Sequence, residues 1–154
     1  MELAIQDLPE SQQHLPELLE KAAALCLGNQ GLAAAHAEID VSFVSAEEIR
    51  ELNGSYRDKP EVTDVLSFPQ YDDPDEIDTD LPYLLGDVVI CLERAEEQAE
   101  EYGHGLDREL VYLFVHSVHH LLGFDHEEPE EKRAMRAAEE AVMTALGLER
   151  IAED

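Results

Sequence analysis

Four of the seven histidines in this chain fall within eleven residues, His116-Ser117-Val118-His119-His120-Leu121-Leu122-Gly123-Phe124-Asp125-His126. Imidazole suits zinc and other borderline transition metals, so this density raises metal chemistry first. On a helix, residues four apart differ by only about 40° around the axis and stand one turn above each other. His116 and His120 can therefore aim at one point. Gly123 accepts the left-handed backbone through which a helix ends and the chain doubles back, returning His126 toward the first two. Three neutral imidazoles leave a fourth zinc position for water or substrate, which is the pattern of a catalytic rather than a structural site.

The competing explanation is three unrelated histidines, one buried and two exposed; the shared helical face and the glycine turn make that a poor coincidence. His119 competes with His120, because a spacing of three also brings side chains together. The distance to Gly123 favours His120 and turns His119 outward or into a supporting role. Asp125 has three available jobs: orienting a ligating imidazole through its ring N–H, taking part in water activation, or capping the turn through backbone N–H groups. A zinc peptidase of the His-Glu-x-x-His type carries its general-base glutamate directly after the first histidine. Here Ser117 holds that position, so ordinary peptide hydrolysis is disfavoured.

Charge narrows the partners. Thirty-seven Asp and Glu against 10 Lys and Arg leave a formal net charge of −27 in 154 residues. No basic stripe of the kind that coats nucleic-acid-binding proteins is present, which excludes a generic positive binding face but not a local phosphate site built from a metal and an arginine. The acids are spread along the chain, and like charges at that density repel until salt screens them. A salt-accumulating cytoplasm is one setting that suits such a chain; a merely acidic mesophilic protein is the other. Repulsion between copies favours a monomer.

The elements that must position the histidines follow from periodicity. Leu3-Ala4-Ile5 reads as a short strand, and Ser11 to about Leu27 as a helix. Ala37–Val44 alternates apolar and polar residues as a half-buried strand does. Ser45 and Glu48 form a capping-box pattern, opening a helix predicted to end at the turn signal Asn53-Gly54. Val62–Phe68 reads as a strand stopped by Pro69, residues 72–80 as a solvated acidic loop, and Asp87–Leu92 as an apolar strand entered through Gly86. Three helices follow, about Leu92–Tyr102, Asp107–Leu122 and Pro129–Leu146, separated by Gly103 to Gly105 and by Gly123. The expected fold is α+β: a small mixed β-sheet packed against about five helices, with a three-histidine metal site at the cleft. Residues 1–154 are expected to form a single domain, by length. No stretch approaches the roughly 20 apolar residues of a membrane span, and the acidic N-terminus does not resemble a secretion signal, so a cytoplasmic location without membrane association is expected. Cys26 and Cys91 lie in apolar surroundings and are expected to be free, buried thiols.

Three blocks of the chain resemble the YbeY family, the bacterial rRNA maturation factors described as metal-dependent endoribonucleases. The family signature His-Gly-x-Leu-His-Leu-x-Gly-Tyr-Asp-His aligns with residues 116–126, with Ser117, His119 and Phe124 in place of glycine, leucine and tyrosine. A second block appears as Leu52-Asn53-Gly54-Ser55-Tyr56-Arg57 followed by Thr63-Asp64-Val65-Leu66-Ser67-Phe68-Pro69, and a third as Leu85-Gly86-Asp87-Val88-Val89-Ile90. The family's Asp-Lys-Pro normally adjoins the threonine, whereas here Asp58-Lys59-Pro60 is followed by Glu61-Val62.

The resemblance implies a metal-dependent, single-strand-specific endoribonuclease that hydrolyses phosphodiester bonds in maturation of the 16S rRNA 3′ end and in ribosome quality control. Its implied metal ligands are His116, His120 and His126, holding one zinc ion or another divalent transition metal. Arg57 and His116 are its implied catalytic residues, and ribosomal RNA with the small subunit or its associated proteins are the implied partners. Taken alone, Arg57 reads first as a surface ion-pair partner, the ordinary fate of an arginine amid so many acids. Asp64 and Asp87 are expected to support the cleft structurally. Two alternatives stay open: a metal-stabilised, non-catalytic ribosome assembly factor, and a metal hydrolase with another substrate.

Overall fold

The computed structural model describes residues 1–148. The last six residues of the expected 1–154 domain lie outside the described residues. Four strands, β1 (Glu2–Gln6), β2 (Ala37–Val44), β3 (Val65–Pro69) and β4 (Tyr83–Cys91), form one sheet in the order β1-β2-β4-β3. β1, β2 and β4 run parallel, and β3 lies antiparallel to β4 at the edge. The described residues form five α-helices, α1 (Leu15–Asn29), α2 (Ala46–Arg57), α3 (Leu92–Tyr102), α4 (Leu106–Leu121) and α5 (Pro129–Ala145). This is the expected mixed sheet with helices packed against it.

Alternation decides which side of the sheet each helix covers. In β2, Ile39, Val41 and Phe43 point into the main core, where they meet Leu15 and Leu19 of α1 and Leu110, Phe114 and Val118 of α4. A smaller cluster of Ile49, Leu66, Val89 and Cys91 places α2 against the other face. α4 is the central helix, touching α1, α3, α5 and strands β3 and β4. Ten of its sixteen residues are buried, so its orientation is fixed from several directions at once. The metal-binding candidates ride on this element.

Several boundaries depart from expectation, each for a local reason. α2 does not end at Asn53-Gly54 but continues to Arg57, where Asp58 adopts a left-handed conformation (φ 56°). Asn53 is buried, and its side-chain amide donates to the Glu61 carbonyl at 3.1 Å, so it ties down the following loop instead of making a turn. β3 starts at Val65 rather than Val62, because Asp64 Oδ1 accepts from the Val65 N–H at 2.8 Å and breaks the extended run. Pro69 belongs to β3 and pairs with Gly86; an edge strand tolerates the missing donor. β4 begins at Tyr83, earlier than Asp87, because its pairing with β2 carries on past a bulge opposite Glu38 and Ile39. The acidic loop is exposed for the most part and holds one short 3-10 turn, Pro74–Glu76. Cys26 and Cys91 are free and buried, as expected; burial pushes the Cys26 thiol up to about 12. Among the described residues, no helix is long and apolar enough to cross a membrane.

Candidate metal centre and cleft

His116 and His120 stand one turn apart on α4, and the chain turns back after it to bring His126 alongside. One nitrogen from each of the three rings lies within 4.8 Å of the others. The His116 and His120 rings meet edge to face at 4.7 Å, as do His120 and His126 at 4.9 Å. The turn depends on Gly123, whose φ of 96° a side chain rarely adopts. The helix end is closed by the Gly123 N–H on the His120 carbonyl at 3.0 Å and the Phe124 N–H on the His119 carbonyl at 3.0 Å.

What makes the cluster fit a metal is the far side of the rings. His116 Nδ1 donates to Glu139 Oε2 at 2.6 Å, and His120 Nδ1 donates to the Phe124 carbonyl at 3.0 Å. Each bond fixes a tautomer that leaves Nε2 with a bare lone pair. Burial, reinforced by the neighbouring His116, holds the His120 pKa below its ordinary value, so the ring favours its neutral, ligating form. With His126 as the third imidazole, the cluster can bind a divalent metal ion and leave a position open.

Glu139, on α5, is the residue that sequence reasoning missed. Burial alone would raise its pKa, yet the hydrogen bond from His116, with the Tyr112 hydroxyl donating at 2.9 Å, holds it below the usual carboxylate range. A signal for it existed. Glu139 interrupts the buried stripe Met135, Val142, Met143 of α5, and a carboxylate on such a stripe needs a partner. Among 37 acidic residues that single departure does not stand out.

His119 does not face outward. It is fully buried, Nδ1 donates to the Val115 carbonyl at 2.8 Å, and its ring meets Phe124 edge to face at 5.3 Å. It belongs to the core side of α4, supporting the residue that follows the turn. Asp125 takes the capping role: Oδ1 accepts from the His126 N–H at 2.7 Å, while its nearest approach to that imidazole is 3.8 Å. Ser117 is buried and shares a 2.6 Å hydrogen bond with Ser67 of β3. The pair ties α4 to the sheet behind the site. No carboxylate occupies the general-base position of a zinc peptidase.

The three histidines line one side of a cleft of about 630 Å³, and Arg57 lines it from the end of α2. Arg57 makes no ion pair among the described residues. Gly54 permits the tight return of the loop after it: an added Cβ would lie 3.2 Å from the Pro60 side chain. Lys59 is exposed and does not line the cleft. Asp64 does line it, but its oxygens accept from the Val65 N–H and from Gln98 Nε2 at 3.2 Å, a supporting role. Asp87 lies in β4, paired with Asp40 and Phe68, and burial followed by Asp40 raises its pKa.

Known proteins resemble this chain over nearly its whole length. Residues 4–147 match the family model for endoribonuclease YbeY. The chain is similar to an endoribonuclease YbeY of Alkaliphilus metalliredigens, 49% identical over 92% of this chain and 90% of the relative. It is likewise similar to one of Finegoldia magna, 50% identical over 84% and 82%. A protein of Thermotoga maritima solved in solution shares the fold, with a TM-score of 0.57 and 26% identity over 93% of this chain and 90% of that one.

Proposed function

The chain belongs to the YbeY endoribonuclease family, and from that premise we propose that it is a zinc-dependent, single-strand-specific endoribonuclease acting in maturation of the 16S rRNA 3′ end and in ribosome quality control. The observation that carries this reading is the convergence of three histidines, two of them with their second nitrogen already engaged, on the same cleft as an arginine with no ion pair among the described residues. His116, His120 and His126 are the proposed ligands of one zinc ion per chain. When bound, the ion supplies a Lewis acid that polarises a phosphate oxygen and favours deprotonation of water.

The residues of the chain supply the rest. Glu139 keeps the proton of His116 on Nδ1, so the ring presents a lone pair to the cleft and cannot rotate away. Arg57 holds a permanently charged, five-donor fork in the cleft, suited to two oxygens of a phosphodiester and to the charge that grows on them as the P–O bond breaks. Among the described residues no ion pair holds it, so the guanidinium does not first have to be released. Ser117, bonded to Ser67, has neither the charge nor the exposure to stand in for a peptidase glutamate, which speaks against peptide hydrolysis.

In this role the chain acts as a single-domain monomer of the cytoplasm, with ribosomal RNA and the small subunit or its associated proteins as partners. It is tested by metal content and cleavage of a structured ribosomal RNA precursor across low to molar potassium salt, beside His120→Ala and Arg57→Ala. About one equivalent of zinc, with cleavage lost in both folded variants, is the expected result. Metal binding with wild type and Arg57→Ala equally inactive at every salt level would leave the non-catalytic assembly role as the better reading.

A further inference from the structure

The metal candidates sit between two grooves rather than at the end of one. His116 and His126 line both the cleft that holds Arg57 and a second groove, of about 360 Å³, whose other wall is α5. The two grooves differ in charge. On the Arg57 side one cation faces Asp64, Asp72, Asp125 and Glu127. On the α5 side Lys132 and Arg136 face a single carboxylate, Glu139, whose two oxygens each already accept a hydrogen bond. Neither Lys132 nor Arg136 makes an ion pair among the described residues. In a chain with only 10 basic residues and 37 acidic ones, two cations side by side on one groove beside the metal candidates are a local concentration against the overall charge.

Helix geometry puts them there together. Lys132 and Arg136 are four apart and share one face of α5, whereas Arg133 is rotated about 100° from Lys132 and does not line the groove. A polynucleotide strand cut at the metal must leave the site on two sides. The Arg57 side alone offers it a net negative wall.

We infer that the α5 groove is a second backbone-phosphate subsite for single-stranded RNA, in which Lys132 and Arg136 hold phosphates flanking the one in the Arg57 cleft. This rests on the nuclease reading of the neighbouring cleft. The chain thereby gains affinity for a polyanion from a few local cations while its remaining surface repels one.

The test compares metal-loaded wild type with Lys132→Gln/Arg136→Gln and with Arg133→Gln, which removes a charge from the same helix outside the groove. Binding is read by anisotropy on a short single-stranded RNA with phosphorothioate linkages to slow hydrolysis, as a function of salt, with thermal melts and metal content confirming intact protein. The double variant should bind about tenfold more weakly near 0.1 M salt, and its log–log salt dependence should be shallower by about 1.4, two single-strand phosphate contacts' worth. Arg133→Gln should stay within about twofold of wild type. A double variant indistinguishable from Arg133→Gln, or a wild type that binds no RNA, overturns the subsite. Wild type that binds with the predicted difference yet leaves the unmodified RNA uncut supports the subsite and overturns the nuclease reading.

Discussion

The two walls of the cleft are built on different principles. On the α4 wall, His116 and His120 come from a helix packed on several sides, and each has its second nitrogen held by another group. On the α2 wall, Arg57 is exposed, stands at the last residue of its helix and has no ion-pair partner among the described residues. Metal ligation requires atoms fixed to within fractions of an ångström, so rigidity is placed there. A guanidinium on a long stem needs reach and charge, and a buried, paired arginine would have neither available.

That contrast is broken most severely by removing a ligand. His120→Ala should lower bound metal from about one equivalent to near zero and abolish cleavage, read by metal analysis and RNA cleavage on the same sample. Arg57→Ala should separate the walls: metal content unchanged, but kcat/KM reduced by about 10²–10³-fold, the usual cost of losing one charged donor at a developing negative charge. Glu139→Gln sharpens the claim that rigidity is supplied from behind. Metal affinity should fall by about 10–100-fold, measured by competition with a chelator, and Arg57→Ala should show no such fall.

Much of this was legible beforehand. The spacing of His116, His120, Gly123 and His126 placed the cluster correctly because helical periodicity and a glycine exit are local rules. Whatever depended on distant contacts was not legible. Asn53-Gly54 reads as a turn because both residues favour one, yet the loop that Asn53 anchors and Pro60 packs against Gly54 overrides that preference. His119 looks like a spare ligand until α4 is seated in the core and only one face of the helix reaches the cleft. Glu139 lies 23 residues from His116, and no local pattern joins them.

Smaller effects probe the α4 wall further. Gly123→Ala has room for its methyl, whose nearest neighbour would be Pro74 at 3.8 Å, but not the backbone conformation. It should cost about 1–2 kcal/mol in chemical unfolding and weaken metal binding by displacing His126. In the metal-free protein, burial holds His119 and His120 below the ordinary imidazole pKa of 6.5. As pH falls below that value the unfolded chain takes up protons that the folded chain refuses. Stability should therefore be fullest above about pH 6.5 and decline toward the lower folded values. His119→Leu should flatten that decline in thermal melts, and Arg57→Ala should leave it in place.

The most direct test of the account is single-turnover cleavage of a structured ribosomal RNA precursor by metal-loaded Arg57→Ala, with metal content read on the same preparation. The expected result is about one equivalent of bound metal and cleavage at least about 100-fold slower than wild type. Cleavage at the wild-type rate, or loss of metal along with activity, would contradict the separation of a rigid metal wall from a reaching arginine.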